Sequence, residues 1–390
     1  MHTKKIVFLH ILLIWFGMLS LVQAMPAVIP SPPSVQASAY VLMDFNSGKV
    51  LASQDPDKRI EPASLTKMMT MYVVDHELKS GKIKLTDNVI ISEKAWRTEG
   101  SKMFVEANKE VQVEDLIRGI IIQSGNDSSI AMAEHIAGTE EAFSAIMNHY
   151  AKELKMDNTH FTNATGLPDP NHYSTARDLA KLSQALIRDF PESYKIHSEK
   201  WFTFGTIKQP NRNRLLWREP SVDGIKTGHS ENAGYCLAAS GIKDGMRLVS
   251  VITGSASDGA RTEQTQQLLR YGFRFFETHR LFAQNDVVNE TRIWMGNAKT
   301  VKLGADSDFY ITVPQGQYGN VKTITEFDAR ITAPIKQGDK IGKIVVKLND
   351  EVLSERPLIA LQAVEKGGLW DRASDYFSLG LHKLFNSKES

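Results

Sequence analysis

The sequence predicts an α+β fold: one antiparallel sheet flanked by helices, then a small all-β module and a C-terminal amphipathic helix. Three observations carry this expectation. Apolar strand-like runs stand at both ends of a region whose middle shows helical periodicity. Only short strand-like runs, broken by Gly, Pro and Asp, follow that region. The last residues then return to apolar positions at helical spacing. Strands that enclose helices are most simply accommodated by one sheet whose first and last strands meet.

The first pair of runs, 39–45 and 50–53, is separated by Asn46, Ser47, Gly48 and Lys49, a hairpin signal. From about 62 to 189 the pattern is chiefly helical. Leu65, Met68, Met69, Tyr72 and Val73 predict a helix apolar nearly all round, hence one at the domain centre. Leu116, Ile117, Ile120 and Ile121 mark a second buried helix, and Ile130, Ala133, Ile136 and Ala137 a third. Strands are expected again at 224–228, 233–241 and 246–254, with a turn at Lys243, Asp244 and Gly245. A helix over about 260–279 closes a domain of residues 38–280. The runs 291–295, 309–313, 324–331 and 341–348 build the β-rich module, 281–364. In the tail, 365–390, Trp370, Ala373, Phe377, Leu381 and Leu384 share a helical face, which suits a lipid interface or docking on the β module.

The N-terminus sets the compartment. Lys4 and Lys5 precede an apolar run over 6–22 that ends in Gln23 and Ala24, the outline of a secretory signal peptide cleaved after Ala24. The run also approaches the ~20 residues that a membrane anchor needs, so an uncleaved anchor is the rival reading. Residues 25–37, rich in Pro and Ser, then form a linker. One cysteine, Cys236, excludes an internal disulfide and any Cys-rich metal site, and an exported chain without disulfides fits a bacterial envelope. With 46 Lys and Arg against 45 Asp and Glu, no bulk field draws the chain to nucleic acid. No HExxH, phosphate-cradling glycine loop or carboxylate cluster at metal-ligand spacing occurs, so neither metal nor cofactor is implied.

Three short motifs carry chemistry together. Ser64-Leu65-Thr66-Lys67 is an S-x-x-K at the start of the central helix, just after Pro62. Positions i and i+3 share a helix face, so the Lys67 amine can reach the Ser64 hydroxyl, which needs a base to act as a nucleophile. A second S-x-x-K, Ser240 to Lys243, sits at a strand end, where i and i+3 do not align, and is a decoy. Ser124-Gly125-Asn126 lies at a helix junction, where alone it reads as a linker followed by helix caps. Lys226-Thr227-Gly228, followed by His229, lies on a strand. Each is commonplace alone. In this order they match the S-x-x-K, S-x-N and K-T-G set of penicillin-binding proteins and class A β-lactamases.

The chain closely resembles the low-molecular-mass penicillin-binding proteins that are D-alanyl-D-alanine carboxypeptidases. The resemblance runs from about Ala39 to the C-terminus, with support from 39–44, 172–178, 223–225 and 272–278. It implies a β-lactamase/transpeptidase-like domain that removes the terminal D-alanine from peptidoglycan pentapeptide stems and is acylated by β-lactams. It makes Ser64 the acylated nucleophile, Lys67 its general base and Ser124 a proton relay to the leaving amine. Asn126 would hold a substrate amide, Lys226 add charge beside Ser124, and Thr227 bind the substrate carboxylate. The backbone N–H groups of Ser64 and His229 would form the oxyanion hole. Arg212 and Arg261 correspond by position to arginines near the family's site, and Arg214 stands where a smaller residue is expected. The tail would hold the protein at the periplasmic face of the bacterial inner membrane.

Between Asn126 and Lys226 there is no E-x-x-L-N segment of the kind that class A β-lactamases carry. A crosslink-cutting endopeptidase and a non-catalytic wall scaffold are the other readings. His172 is expected to order a loop, the Met68, Met69 and Met71 cluster to fill the core, and Cys236 to be an inert buried thiol.

Overall fold

The computed structural model describes residues 29–386, with side chains through Ser378. The expected signal peptide at 1–24 and the tail side chains Leu381 and Leu384 lie outside the described residues. The leading strands, β1 (Ala39–Asp44) and β2 (Val50–Gln54), form the expected hairpin. The central helix α1 (Lys67–Lys79) is buried from Lys67 through Asp75 and, as its uniform apolar surface requires, lies in the largest core cluster with Met68, Met69, Met71 and Val73. Around it stand α2 (Val113–Arg118), α3 (Asn126–Ala137), α4 (Glu140–Glu153) and α5 (Ala176–Asp189).

The closing meander is β3 (Val222–Ser230), β4 (Gly234–Lys243) and β5 (Met246–Ser255). The five strands form one sheet in the order β2-β1-β5-β4-β3, so the first and last segments of the domain do pair, Ala39 opposite Thr253 and Met43 opposite Val249. Helix α6 (Asp258–Phe275) covers one face with Leu268 and Leu269, against Leu42, Leu237 and Leu248. Val35 is buried in that same cluster, so part of the predicted linker packs on the sheet.

The helix expected over about 260–279 ends at Phe275. Phe276–Phe282 is a strand paired with Phe309–Pro314, Phe276 opposite Pro314. The remaining strands of the β-rich part make a six-stranded sheet around Val301, Leu303, Ile344, Val346 and Leu358. The run expected over 324–331 is broken: one strand ends at Phe327 and a short one covers Ile331–Thr332.

Asp44, fully buried, ties this part to the hairpin. It accepts hydrogen bonds from Ser47 and from Thr278 Oγ1 (2.7 Å), while Ser47 Oγ lies 2.6 Å from Thr312 Oγ1. The tail forms a helix over Leu369–Asn386. Its Asp375 accepts from Arg292 at 2.9 Å and from the Met295 N–H at 2.7 Å, while Trp370, Tyr376 and Phe377 are exposed. No helix among the described residues is long and apolar enough to cross a membrane.

Candidate active site

Ser64 lies in a 3-10 turn, Ala63–Thr66, that runs directly into α1. A 3-10 turn repeats every three residues, so i and i+3 eclipse and Lys67 sits over Ser64. Lys67 Nζ is 3.2 Å from Ser64 Oγ, 2.7 Å from Asn126 Oδ1 and 2.6 Å from the Thr165 carbonyl. Two of these partners are carbonyl oxygens and can only accept. A neutral amine has two hydrogens and one lone pair, so it donates to both carbonyls and keeps its lone pair for the one partner able to donate, the Ser64 hydroxyl. Burial of Lys67, 1% exposed, lowers its pKa from about 10.5 to about 7, against the opposing pull of Asp127 and with help from Arg212.

The Asn126 amide is fixed in orientation because its Nδ2 donates to the Glu99 carbonyl at 2.6 Å. Its backbone N–H donates to the Ser101 carbonyl. Before it, the chain passes from α2 through a π turn, Gly119–Gln123, into Ser124, which is left-handed (φ 62°, ψ 33°). Non-glycine residues seldom adopt that conformation, and strain of order 1–3 kcal/mol persists where surrounding structure enforces it. Ser124 Oγ is buried without a hydrogen-bond partner among the described residues. Asp127 holds the facing loop by accepting from the N–H groups of Met103, Phe104 and Val105.

Strand β3 brings the third motif. Lys226 is buried, and its Nζ donates to the Thr227 carbonyl at 3.1 Å. Burial first, then Lys67, Arg212 and Arg261, push its pKa well below that of an ordinary lysine. Gly228 allows close approach of the strand to the nucleophile turn, since a Cβ there would sit 3.1 Å from the Pro62 carbonyl oxygen and 3.2 Å from the Leu65 nitrogen. His229 is exposed, and its ring lies against Tyr235.

The two arginines differ. Arg212 donates from Nε to the Gln123 carbonyl at 3.0 Å, and its two Nη groups have no partner among the described residues. Arg261 is buried and committed: it donates to the Gly228 and Cys236 carbonyls and to Asp258, clamping β3 to β4. Arg214 is paired with Asp258 at 2.7 Å. A cavity of about 480 Å³ opens here, lined by Gln123, Arg212, Arg214, His229 and Arg261 among others.

The structure thus gathers Ser64, Lys67, Ser124, Asn126, Lys226, Thr227, Gly228, His229 and Arg212 around one region, with Arg261 lining the adjoining cavity while bound to the strand backbone. The decoy is separate: Ser240 is buried on β4 and accepts from Arg247 at 2.6 Å, while Lys243 is exposed. Cys236 is buried, and burial raises its pKa to about 11.

Sequence reasoning missed the loop that supplies the Thr165 carbonyl. Asn163 Oδ1 accepts from the N–H groups of Thr165 and Gly166, and Glu140 accepts from Ala164 N–H. The turn-rich run Asn163 to Pro168 is its only sequence signal. His172 orders this loop as expected. Its Nδ1 accepts from Thr162 N–H, so Nε2 carries the proton and donates to Thr66 Oγ1 at 2.7 Å. Burial lowers its pKa to about 4, which keeps the ring neutral.

Gly166 has φ +82° and packs on the nucleophile turn, where a Cβ would sit 1.9 Å from the Ala63 carbonyl oxygen. Gly166→Ala is therefore expected to destabilise the protein by about 3 kcal/mol or more, read from denaturant unfolding.

Comparison with known proteins agrees with this geometry. Residues 26–257 match the family described as D-alanyl-D-alanine carboxypeptidase, and residues 276–366 match the penicillin-binding protein 5 C-terminal domain. The chain is 47% identical over 365 residues to the D-alanyl-D-alanine carboxypeptidase DacC of Escherichia coli, covering 91% of each. It superposes on penicillin-binding protein 5 from Haemophilus influenzae with a TM-score of 0.84 and 46% identity, over 86% of this chain and all of that one. Penicillin-binding protein D2 from Listeria monocytogenes in its ampicillin-bound form matches at TM-score 0.58 and 27% identity, over 63% of this chain and all of that one. A nucleophile turn, a buried amine and a cationic strand in one region, joined to both matched families in order along the chain, place this protein in the D-alanyl-D-alanine carboxypeptidase family of serine peptidases, among the low-molecular-mass penicillin-binding proteins.

Proposed function

We propose that the enzyme removes the terminal D-alanine from peptidoglycan pentapeptide stems through an acyl-enzyme on Ser64. The observation that carries this is the Lys67 amine, held by two carbonyls with its lone pair toward the Ser64 hydroxyl. Ser64 Oγ bonds to the carbonyl carbon of the penultimate residue while its proton passes to Lys67. The backbone N–H groups of Ser64 and His229 receive the oxyanion; such a donor is typically worth ~3 to 4 kcal/mol. The tetrahedral intermediate expels the D-alanine amine, which takes a proton relayed through Ser124. Water then cleaves the ester and regenerates the serine. Asn126 holds the substrate amide on the acyl side. Lys226, Thr227 and the unpaired Nη groups of Arg212 receive the terminal carboxylate, for which a planar guanidinium is well shaped. Arg261 acts by holding β3 in place.

β-Lactams enter the same path, as the ampicillin-bound relative supports. Benzylpenicillin should leave a long-lived adduct on the peptide containing Ser64, found by mass spectrometry. Rapid turnover would favour a lactamase and no adduct a scaffold.

The N-terminal apolar run supports export, and the tail supports attachment at the periplasmic face of the inner membrane. Trp370, Tyr376 and Phe377 are exposed on the tail helix, and buried aromatic area is what holds an interfacial helix. Deleting residues 369–390 should abolish cosedimentation with anionic phospholipid vesicles and leave hydrolysis of a soluble tripeptide unchanged.

A further inference from the structure

Two tryptophans stand exposed beside the cavity, and neither has a part in the chemistry above. Trp201 is 51% exposed and Trp217 42% exposed. Their rings meet edge to face, centroids 6.1 Å apart at 84°, so the two indoles form the walls of a corner. An ammonium group lies over part of each ring, Lys208 Nζ 5.1 Å from the Trp201 centroid and Lys200 Nζ 6.0 Å from the Trp217 centroid, on long side chains that can swing aside for a ligand.

The corner belongs to the same elements that line the cavity. Trp201 opens the hairpin Trp201–Phe204 and Ile207–Pro210 and pairs with Pro210, which lines the cavity. Asn211 N–H donates to the Lys200 carbonyl at 2.8 Å, joining the Lys200 end of the corner to the Arg212 segment. Trp217 follows Arg214, another lining residue, on the short helix Leu215–Arg218.

We propose that Trp201 and Trp217 are a carbohydrate subsite that stacks a pyranose ring of the wall polymer's glycan backbone. The axial C–H face of a pyranose is flat and weakly polar and suits an indole face, while its hydroxyl and N-acetyl oxygens accept from neighbouring cations. The corner supplies both surfaces. A protein partner fits less well, because a stable interface buries about 800 Å² on each side and this apolar surface is two indoles accompanied by Lys200 and Lys208. The proposal rests on the carboxypeptidase reading for the identity of the polymer. It adds to that reading a reason for the enzyme to prefer stems still attached to glycan.

The test uses the full chain and two readouts. The first is binding to peptide-free glycan strands of N-acetylglucosamine and N-acetylmuramic acid. The second is D-alanine release from a sugar-free N-acylated tripeptide and from glycan-linked pentapeptide. Trp201→Ala with Trp217→Ala should weaken glycan binding and raise KM for the glycan-linked substrate about tenfold, leaving the tripeptide within about twofold. Tyrosine at both positions should restore most of the binding. Equal losses on both substrates, or glycan binding unchanged in the alanine variant, would overturn the subsite. So would a protein partner lost with the indoles while glycan binding persists. A wild type that cleaves neither substrate refutes the carboxypeptidase reading instead, and the glycan-binding readout still decides the subsite.

Discussion

Ser64→Ala is expected to lower D-alanine release by at least about 10⁴-fold and to abolish labelling by penicillin. Removing the nucleophile of a serine hydrolase deletes the covalent route and leaves only binding and oxyanion stabilisation. Among the described residues the side chain has one hydrogen bond, given to the Lys67 amine, and it is only partly buried, so the fold should survive its loss. Release of D-alanine from a stem peptide, with unfolding measured alongside, separates the chemical effect from a structural one. Full activity in a folded Ser64→Ala protein would remove Ser64 from the mechanism.

Lys67→Arg is the second large effect. Arginine keeps the positive charge but does not give up its proton in proteins, so it cannot serve as a base. General-base catalysis contributes about 10²- to 10⁴-fold, and acylation should fall by that factor. The sign of the pH dependence follows from the lowered pKa of Lys67. Below about pH 7 the amine is protonated and acylation is slow; above it the neutral form accumulates and the rate reaches a plateau. The same burial costs stability at neutral pH, because the unfolded chain holds that proton up to about 10.5. Stability therefore rises between about pH 7 and 10.5 as the unfolded state loses it.

The large architecture was legible in the sequence because apolar periodicity reports it directly. The all-round apolar surface of Leu65 to Val73 put α1 at the centre, and apolar runs bounded by the Lys243-Asp244-Gly245 turn placed the meander. The three motifs were legible because side-chain identity is what they depend on. The Thr165 carbonyl was not, since every residue has a backbone carbonyl and only the fold decides which one meets Lys67. The commitment of Arg261 to Gly228 and Cys236 was hidden for the same reason. The boundary at Phe275 was overrun because Phe273, Phe275 and Phe276 continue the apolar pattern while the chain changes from helix to strand. In the β-rich part, Thr300–Ala305 and Glu351–Ala360 escaped notice because charged, exposed residues such as Lys302 and Glu355 interrupt their apolar positions.

The most direct measurement is the second-order rate constant for acylation of Ser64 by benzylpenicillin between pH 5 and 9. A rate that climbs tenfold per pH unit and levels off near pH 7, in the wild type and not in Lys67→Arg, is the expected result. A rate indifferent to pH over that range, or an adduct on a residue other than Ser64, would contradict a neutral Lys67 as the base.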